Sequence, residues 1–201
     1  MKYLEGAVHR VENASGLAYP PYYVEPVLPL SRGGGDYGQV GVMFARVIPT
    51  TATGKLMILI QFTAALIAYG TKATIEAVAA HEFTHYVDLV RRLSSFNVVN
   101  DEAATTLFEA SFADVERTVP PKLLFSESML VRLVNRKFKE GLSDPALTKR
   151  VDASWIAKSL PIKWIGPEEN AVRLGMGVVA GTKFDPNVLS KVAQIEEILR
   201  K

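Results

Sequence analysis

A single long helix, predicted for residues 71–93 directly after two apolar strands, constrains the fold more than any other segment of the sequence. Thr71 is a good N-cap, and Arg91 and Arg92 fall in the last turn, where cations interact favourably with the helix dipole. An apolar stripe follows one side of this helix: Ile75, Ala79, Phe83, Tyr86 and Val90. We therefore expect the stripe to pack on a sheet while another side of the helix faces a cleft.

The two strands precede this helix. Residues 39–48 and 55–62 are β-branched and apolar and are bounded by turn residues, which predicts strands joined by a loop over residues 49–54. The second strand has a continuous apolar run, which is typical of a strand buried on both faces. The first is then the better candidate for a sheet edge.

Residues 81–85 of the helix read His-Glu-Phe-Thr-His and contain two of the three histidines in the chain. Residues i and i+4 of a helix share a face, so the imidazoles of His81 and His85 are expected to project together. Two neutral imidazoles at this spacing can bind Zn²⁺, with a glutamate after the first, here Glu82, as the general base beside a metal-bound water. The pattern predicts a zinc site.

A catalytic zinc site needs a third protein ligand and an open position for water. No third histidine follows within reach, which indicates a carboxylate on the next helix, predicted from about residue 100 to 119. Three glutamates on that helix repeat every seven residues and so share a face: Glu102, Glu109 and Glu116. We favour Glu109 because Phe108 and Phe112 indicate that its turn is buried on one side. The alternatives are Glu102 first, and then Asp88 or Glu116.

Composition restricts the other classes of function. The absence of cysteine excludes disulfides, thiolate ligands and a cysteine nucleophile. A net charge of only +2 does not favour a nucleic-acid partner. The first 15 residues have no apolar signal region, and the most apolar stretch, residues 56–69, is too short to span a bilayer. We therefore expect a soluble, cytoplasmic protein with no membrane partner.

The remainder of the chain is predicted to be helical. Residues 126–140 form one helix, Asp144-Pro145 opens another with an N-cap and a proline at N1, and an amphipathic helix begins near Pro186. No repeat or low-complexity linker interrupts the sequence. The simplest organisation is a single α+β domain over residues 1–201, with the sheet and metal-site helices in about 1–121 and a helical C-terminal lobe in about 122–201.

The strand, the turn, the helix with HEFTH and a glutamate on the next helix resemble the gluzincin zinc metallopeptidases, and more narrowly their small "minimal" archaeal and bacterial members. The similarity covers about residues 39–118. It implies a zincin-like fold, in which a small mixed or antiparallel sheet packs on the HExxH helix and a mainly helical lobe follows. The implied zinc ligands are His81, His85 and Glu109. Glu82 would take a proton from the zinc-polarised water and return it to the leaving amine of a peptide or unfolded-protein substrate.

Two features depart from the family pattern. Glu109 and Asp114 are five apart instead of four, and no asparagine precedes the glutamate, so either Asp88 or Asp114 would orient a ligand histidine. No tyrosine or histidine follows Tyr86 to stabilise the oxyanion. The substitutes in this sequence are Arg117, Arg132, Arg173, His9 or an N-terminal tyrosine folding back.

The missing donor keeps a second function open, a catalytically weak zincin-like scaffold that binds peptide or protein as a regulatory module. The presence of Glu82 disfavours it, because metal binding alone does not need that residue. A nucleic-acid-associated regulator is disfavoured by the modest charge and the lack of a helix-turn-helix signature. The resemblance also implies a self-inhibiting terminal segment, either residues 17–30 or the C-terminal tail, and substrate binding by β-augmentation along residues 39–48.

Overall fold

The secondary structure was assigned from a computed structural model, which describes residues 1–32, 40–51, 54–94, 118–139, 141–165 and 176–200. Within these ranges, the α-helices are α1 (Lys2–Ser15), α2 (Ala64–Tyr69), α3 (Lys72–Ser94), α4 (Pro121–Leu124), α5 (Ser128–Lys137), α6 (Pro145–Val151), α7 (Met176–Ala180) and α8 (Pro186–Leu199), and a π-helix, Asp152–Ile156, follows α6 directly. The strands are β1 (Tyr22–Glu25), β2 (Leu28–Arg32), β3 (Val40–Val42), β4 (Ala45–Thr50), β5 (Met57–Thr63) and β6 (Ile162–Ile165). The α+β class is confirmed.

One sheet has the order β1-β5-β4 and is mixed, because β1 runs parallel to β5 and β4 runs antiparallel to it. The β4–β5 pair is the predicted pair of strands, with β5 buried in the centre and β4 at the edge. Residues 39–48, however, do not form one strand. The chain leaves β3 at Val42 and enters β4 at Ala45, and buried Phe44 lies between them.

The second sheet has the order β3-β2-β6 and joins distant parts of the chain. Strand β2 pairs antiparallel with β3 and parallel with β6, so that Leu28 lies opposite Ile162. The region expected to be a helical lobe therefore contributes a strand to a sheet that begins near the N-terminus. Such pairing carries no local sequence signal, since it depends on residues more than a hundred positions apart.

Helix α3 is the centre of the molecule. Its N-cap is Thr71, as predicted, because the Thr71 hydroxyl accepts a hydrogen bond from the Thr74 N–H at 3.1 Å. Helices α1, α5 and α8 and strand β4 all pack against it. The expected single apolar stripe is accordingly an underestimate, since every residue from Thr74 to Ala80 is buried. In the turns that follow, His81, His85 and Tyr86 are half-buried, whereas the three residues between the histidines are buried.

Helix α1, which the sequence interpretation missed, covers one side of α3. Its apolar face is buried at positions three and four apart, namely Leu4, Ala7, Val8, Val11 and Ala14. The helix ends at Gly16, which adopts the left-handed conformation (φ 71°) that glycine tolerates without a Cβ clash. The N-terminal segment is thus part of the core.

The C-terminal helices follow the prediction with two differences. The Asp144 side chain caps α6 by accepting from the Leu147 N–H at 3.0 Å, as expected. Helix α5 ends at Lys137, three residues before the predicted end, because the chain turns back in a bridge between Phe138 and Leu142. The predicted apolar face of α8 comprises Val188, Val192, Ile195 and Leu199. It is buried except for Leu199, which is 52% exposed. No helix in the described ranges is long and apolar enough to cross a membrane.

Candidate metal centre

The two histidines of α3 meet at the surface of the helix as the i, i+4 spacing predicts. The Nε2 atoms of His81 and His85 are 3.1 Å apart, and the two rings are nearly perpendicular, at 86°. Both side chains are half-buried. Burial, and then the neighbouring His85, lower the pKa of His81 to about 3, so its imidazole is neutral at physiological pH. A neutral imidazole is the form that binds a metal.

The Nε2 separation allows a test of whether zinc fits. With Zn–N bonds of about 2.0–2.1 Å, two nitrogens 3.1 Å apart subtend an N–Zn–N angle of roughly 95–100°, close to tetrahedral. The pair therefore suits two positions of a zinc site. Within the described residues, no group of three or more His, Cys, Asp or Glu side chains could hold a metal ion. A complete site would need a ligand from elsewhere in the chain.

The candidates for that ligand differ in what can be said of them. Glu109, Glu102 and Glu116 lie outside the described residues, as does Asp114, the alternative to Asp88 for orienting a ligand histidine. Asp88 is described and buried, but its carboxylate binds Arg91 at 2.8 Å and Arg92 at 2.7 Å on the same helix. The structure thus gives Asp88 an ion-pairing role and does not bring it together with the histidines into a metal-binding group.

Glu82 follows His81 on α3, and its side chain is buried. Its side chain forms no hydrogen bond or ion pair with another described residue, and it is only 7% exposed. Burial raises the pKa of Glu82 to about 8, because a carboxylate in a poorly solvated site favours its protonated form. In the metal-free protein, this side chain therefore titrates near pH 8.

The proposed oxyanion donors are placed differently from one another. Tyr19 does fold back onto α3, but its hydroxyl donates to the Ala79 carbonyl at 2.8 Å and its ring stacks on Phe83. His9 is on the exposed side of α1, 3.8 Å from Glu12. Arg132 is exposed on α5. Arg117 and Arg173 lie outside the described residues.

Phe138 is a neighbour of the site that sequence reasoning missed. Its ring lies flat on the His81 imidazole, with centroids 3.7 Å apart and an interplanar angle of 10°. The two residues are 57 positions apart, and the only local signal was an aromatic residue near the end of a predicted helix. That signal does not say which side chain the aromatic ring would meet.

The chain matches no family model, no curated protein and no solved structure. The chemical interpretation of the site rests on its residues and their geometry.

Proposed function

We propose that this protein is a zinc-dependent peptidase with a zincin-like fold, acting in the cytoplasm. The observation that carries the proposal is the 3.1 Å separation of the His81 and His85 Nε2 atoms, together with a buried glutamate, Glu82, next to His81 in the sequence of the same helix. A histidine pair alone would suit many metal sites. A neighbouring carboxylate that is buried, with no counter-charge in the part of the chain that the structure describes, is the feature that suits hydrolysis.

His81 and His85 would hold the ion, and we propose Glu109 as the third ligand. A bound zinc ion would act as a Lewis acid toward a water molecule and a peptide carbonyl. Glu82 would accept the proton of the attacking water and deliver it to the leaving amine, which is general base and then general acid catalysis.

An extended peptide is the proposed substrate. Strand β4 is at the edge of its sheet and packs against α3, so a peptide paired with it would run alongside the helix that carries the histidines. Addition of a strand to a sheet edge provides backbone hydrogen bonds without a strict sequence requirement. That mode of binding suits an unfolded protein.

A scaffold that binds peptide with little turnover is the second candidate. It is favoured by the engagement of Tyr19 with the Ala79 carbonyl and by the surface position of His9, since neither is held ready to stabilise an oxyanion. Removal of one such donor typically costs about 10²–10³ in kcat. The scaffold would retain zinc and peptide binding but would cleave weakly or not at all.

The deciding experiment compares Glu82→Gln with Glu76→Gln, a matched change of a buried glutamate on the same helix. We expect the wild type and both variants to bind one zinc ion, measured by plasma mass spectrometry. Cleavage of an unfolded protein should fall by about 10²–10⁴ only in Glu82→Gln. A wild type that does not bind zinc, or equal cleavage by both variants, would contradict the proposal. Zinc binding without any wild-type cleavage would favour the scaffold.

A further inference from the structure

The contact between Phe138 and His81 joins the proposed metal ligand to a different part of the chain. Phe138 follows directly after α5, whereas His81 is in the middle of α3. The rings are parallel to within 10° and 3.7 Å apart, so the phenyl group covers one face of the imidazole. Rotation of His81 about its side-chain bonds would break this stack. The contact therefore restrains the direction in which the imidazole Nε2 points.

The segment that carries Phe138 is itself tied to α3. Phe138 forms a bridge with Leu142, and the Ser143 N–H donates to the Lys137 carbonyl at 2.7 Å. The ammonium group of Lys137 binds Asp144 at 2.7 Å, and Asp144 also accepts a hydrogen bond from the hydroxyl of Thr74, in the first turn of α3. The turn is thus anchored on both sides of Phe138. A ring held in this way can orient its neighbour.

The geometry of the stack is compatible with metal binding. An imidazole nitrogen binds a metal through its lone pair, which lies in the plane of the ring, whereas Phe138 covers the face of the ring. The electrostatics also favour the metal-bound state. An imidazole bound to a divalent cation carries partial positive charge, which the negative face of an aromatic ring attracts. A saturated side chain of similar size would lack that attraction.

We propose that Phe138 is a positioning residue for the metal ligand His81, acting by stacking on its imidazole. This inference rests on the proposed function, because it assumes that His81 binds zinc. Neighbours that orient a metal-ligating histidine commonly change metal affinity by about 10–100-fold when removed. Phe138 contributes a ring contact in place of the usual hydrogen bond, so we expect an effect near the lower end, about tenfold.

The test measures zinc dissociation constants by competition with a chelator in the wild type, Phe138→Leu and Phe138→Tyr. Leucine keeps an apolar side chain but removes the ring, whereas tyrosine keeps the ring. We expect about tenfold weaker zinc binding in Phe138→Leu and nearly wild-type binding in Phe138→Tyr. Phe184→Leu is the matched control, because Phe184 is half-buried and contacts neither histidine among the described ring pairs. It should bind zinc as the wild type does.

A spectroscopic measurement separates positioning from a general loss of structure. In the Co²⁺-substituted proteins, the visible absorption bands report the ligand geometry, and we expect them to change in Phe138→Leu and to be retained in Phe138→Tyr and Phe184→Leu. If Phe138→Leu does not fold, Phe138→Met replaces it in both measurements.

The outcomes distinguish this inference from the proposed function. A wild type that binds no zinc would contradict the proposed function and with it the role of Phe138. Zinc binding by the wild type with equal affinity and an equal Co²⁺ spectrum in Phe138→Leu would contradict the role of Phe138 alone. Loss of affinity in Phe138→Tyr to the same extent as in Phe138→Leu would also contradict it, because the ring would then be irrelevant.

Discussion

The first turns of α3 and its histidine-bearing turns both contain a buried glutamate, but only the glutamate in the first turns forms ion pairs with other described residues. Near the start of the helix, Glu76 binds Arg10 from α1 and lies 3.8 Å from Lys72. Six residues later, Glu82 is buried to a similar degree with no counter-charge among the described residues. The first turns of the helix thus contain a glutamate with its charge compensated, and the middle of the helix contains one without a counter-charge among the described residues.

The difference separates a structural charge from a candidate functional one. A buried carboxylate costs several kcal/mol of desolvation, which an ion pair with good geometry can offset. The Arg10–Glu76 pair does so while joining α1 to α3. Glu82 has no ion-pair partner among the residues that the structure describes, and strongly perturbed carboxylates of this kind cluster at functional sites. Because structural networks perturb pKa values too, variants of Glu76 and of the histidine-bearing turns are both needed to separate the two roles.

The largest expected effect is a loss of zinc affinity when a histidine of α3 is replaced. His81→Ala or His85→Ala should weaken zinc binding by about a hundredfold or more, since zinc affinity is shared among few ligands. His9→Ala is the matched control and should have no effect, because His9 is on the exposed side of α1. Chelator competition measures the affinity. Equal affinity in all three variants would contradict a metal site at His81 and His85.

The third ligand gives the next test. Glu109→Gln should lose most bound zinc, whereas Glu102→Gln should retain it, because amide oxygens are weaker zinc ligands than carboxylates. Metal analysis after gel filtration measures the retained zinc. Survival of zinc in the Glu109 variant, with loss in the Glu102 variant, would show that the ligand assignment is wrong.

The two glutamates should respond with opposite sign in the stability of the metal-free protein. Glu76→Gln is expected to lower the free energy of unfolding by about 2 kcal/mol, because it breaks a buried ion pair. Burial raises the pKa of Glu82 to about 8, so the folded state holds this proton more tightly than the unfolded chain does. Stability therefore falls as the pH rises toward and through 8.

Glu82→Gln should remove that pH dependence and raise the free energy of unfolding by about 4 kcal/mol at pH 8. Urea unfolding of both variants and the wild type, each freed of metal, measures the difference. If both variants were destabilised equally at pH 8, the proposed difference between a compensated Glu76 and an uncompensated Glu82 would be wrong.

The smallest expected effect on stability concerns Asp144, whose carboxylate accepts a hydrogen bond from Thr74 in the first turn of α3. Burial opposes its ionisation, but the hydrogen bonds that its carboxylate accepts outweigh burial and lower the pKa of Asp144 below the ordinary 3.8. Its stabilisation is therefore present above pH 3.8 and is lost as the pH falls through the lowered folded-state value. Asp144→Asn should cost about 1 kcal/mol at pH 7 and little at pH 2, measured by urea unfolding. An equal cost at both pH values would show that charge is not involved.

Several elements could be predicted from the sequence because their signals are local. Thr71 and Asp144 as caps, the strand pair around residues 49–54, and the projection of His81 and His85 from one face depend on residues a few positions apart. Helix α1 has such a signal as well, because its apolar residues from Leu4 to Ala14 recur three and four positions apart.

Other features depend on contacts between distant residues. The pairing of β2 with β6, the division of residues 39–48 between two sheets, and the placement of Phe138 on His81 all arise when separate segments pack together. No period or cap in the sequence encodes such contacts, because they depend on how whole elements share one core.

The sequence by itself thus determined that two histidines and a glutamate, His81, His85 and Glu82, lie close together on one helix, since helical geometry alone brings them to neighbouring positions. Which glutamate is neutralised and which ring covers His81 followed from packing. Those properties depend on the side chains that α1 and the turn after α5 place against α3.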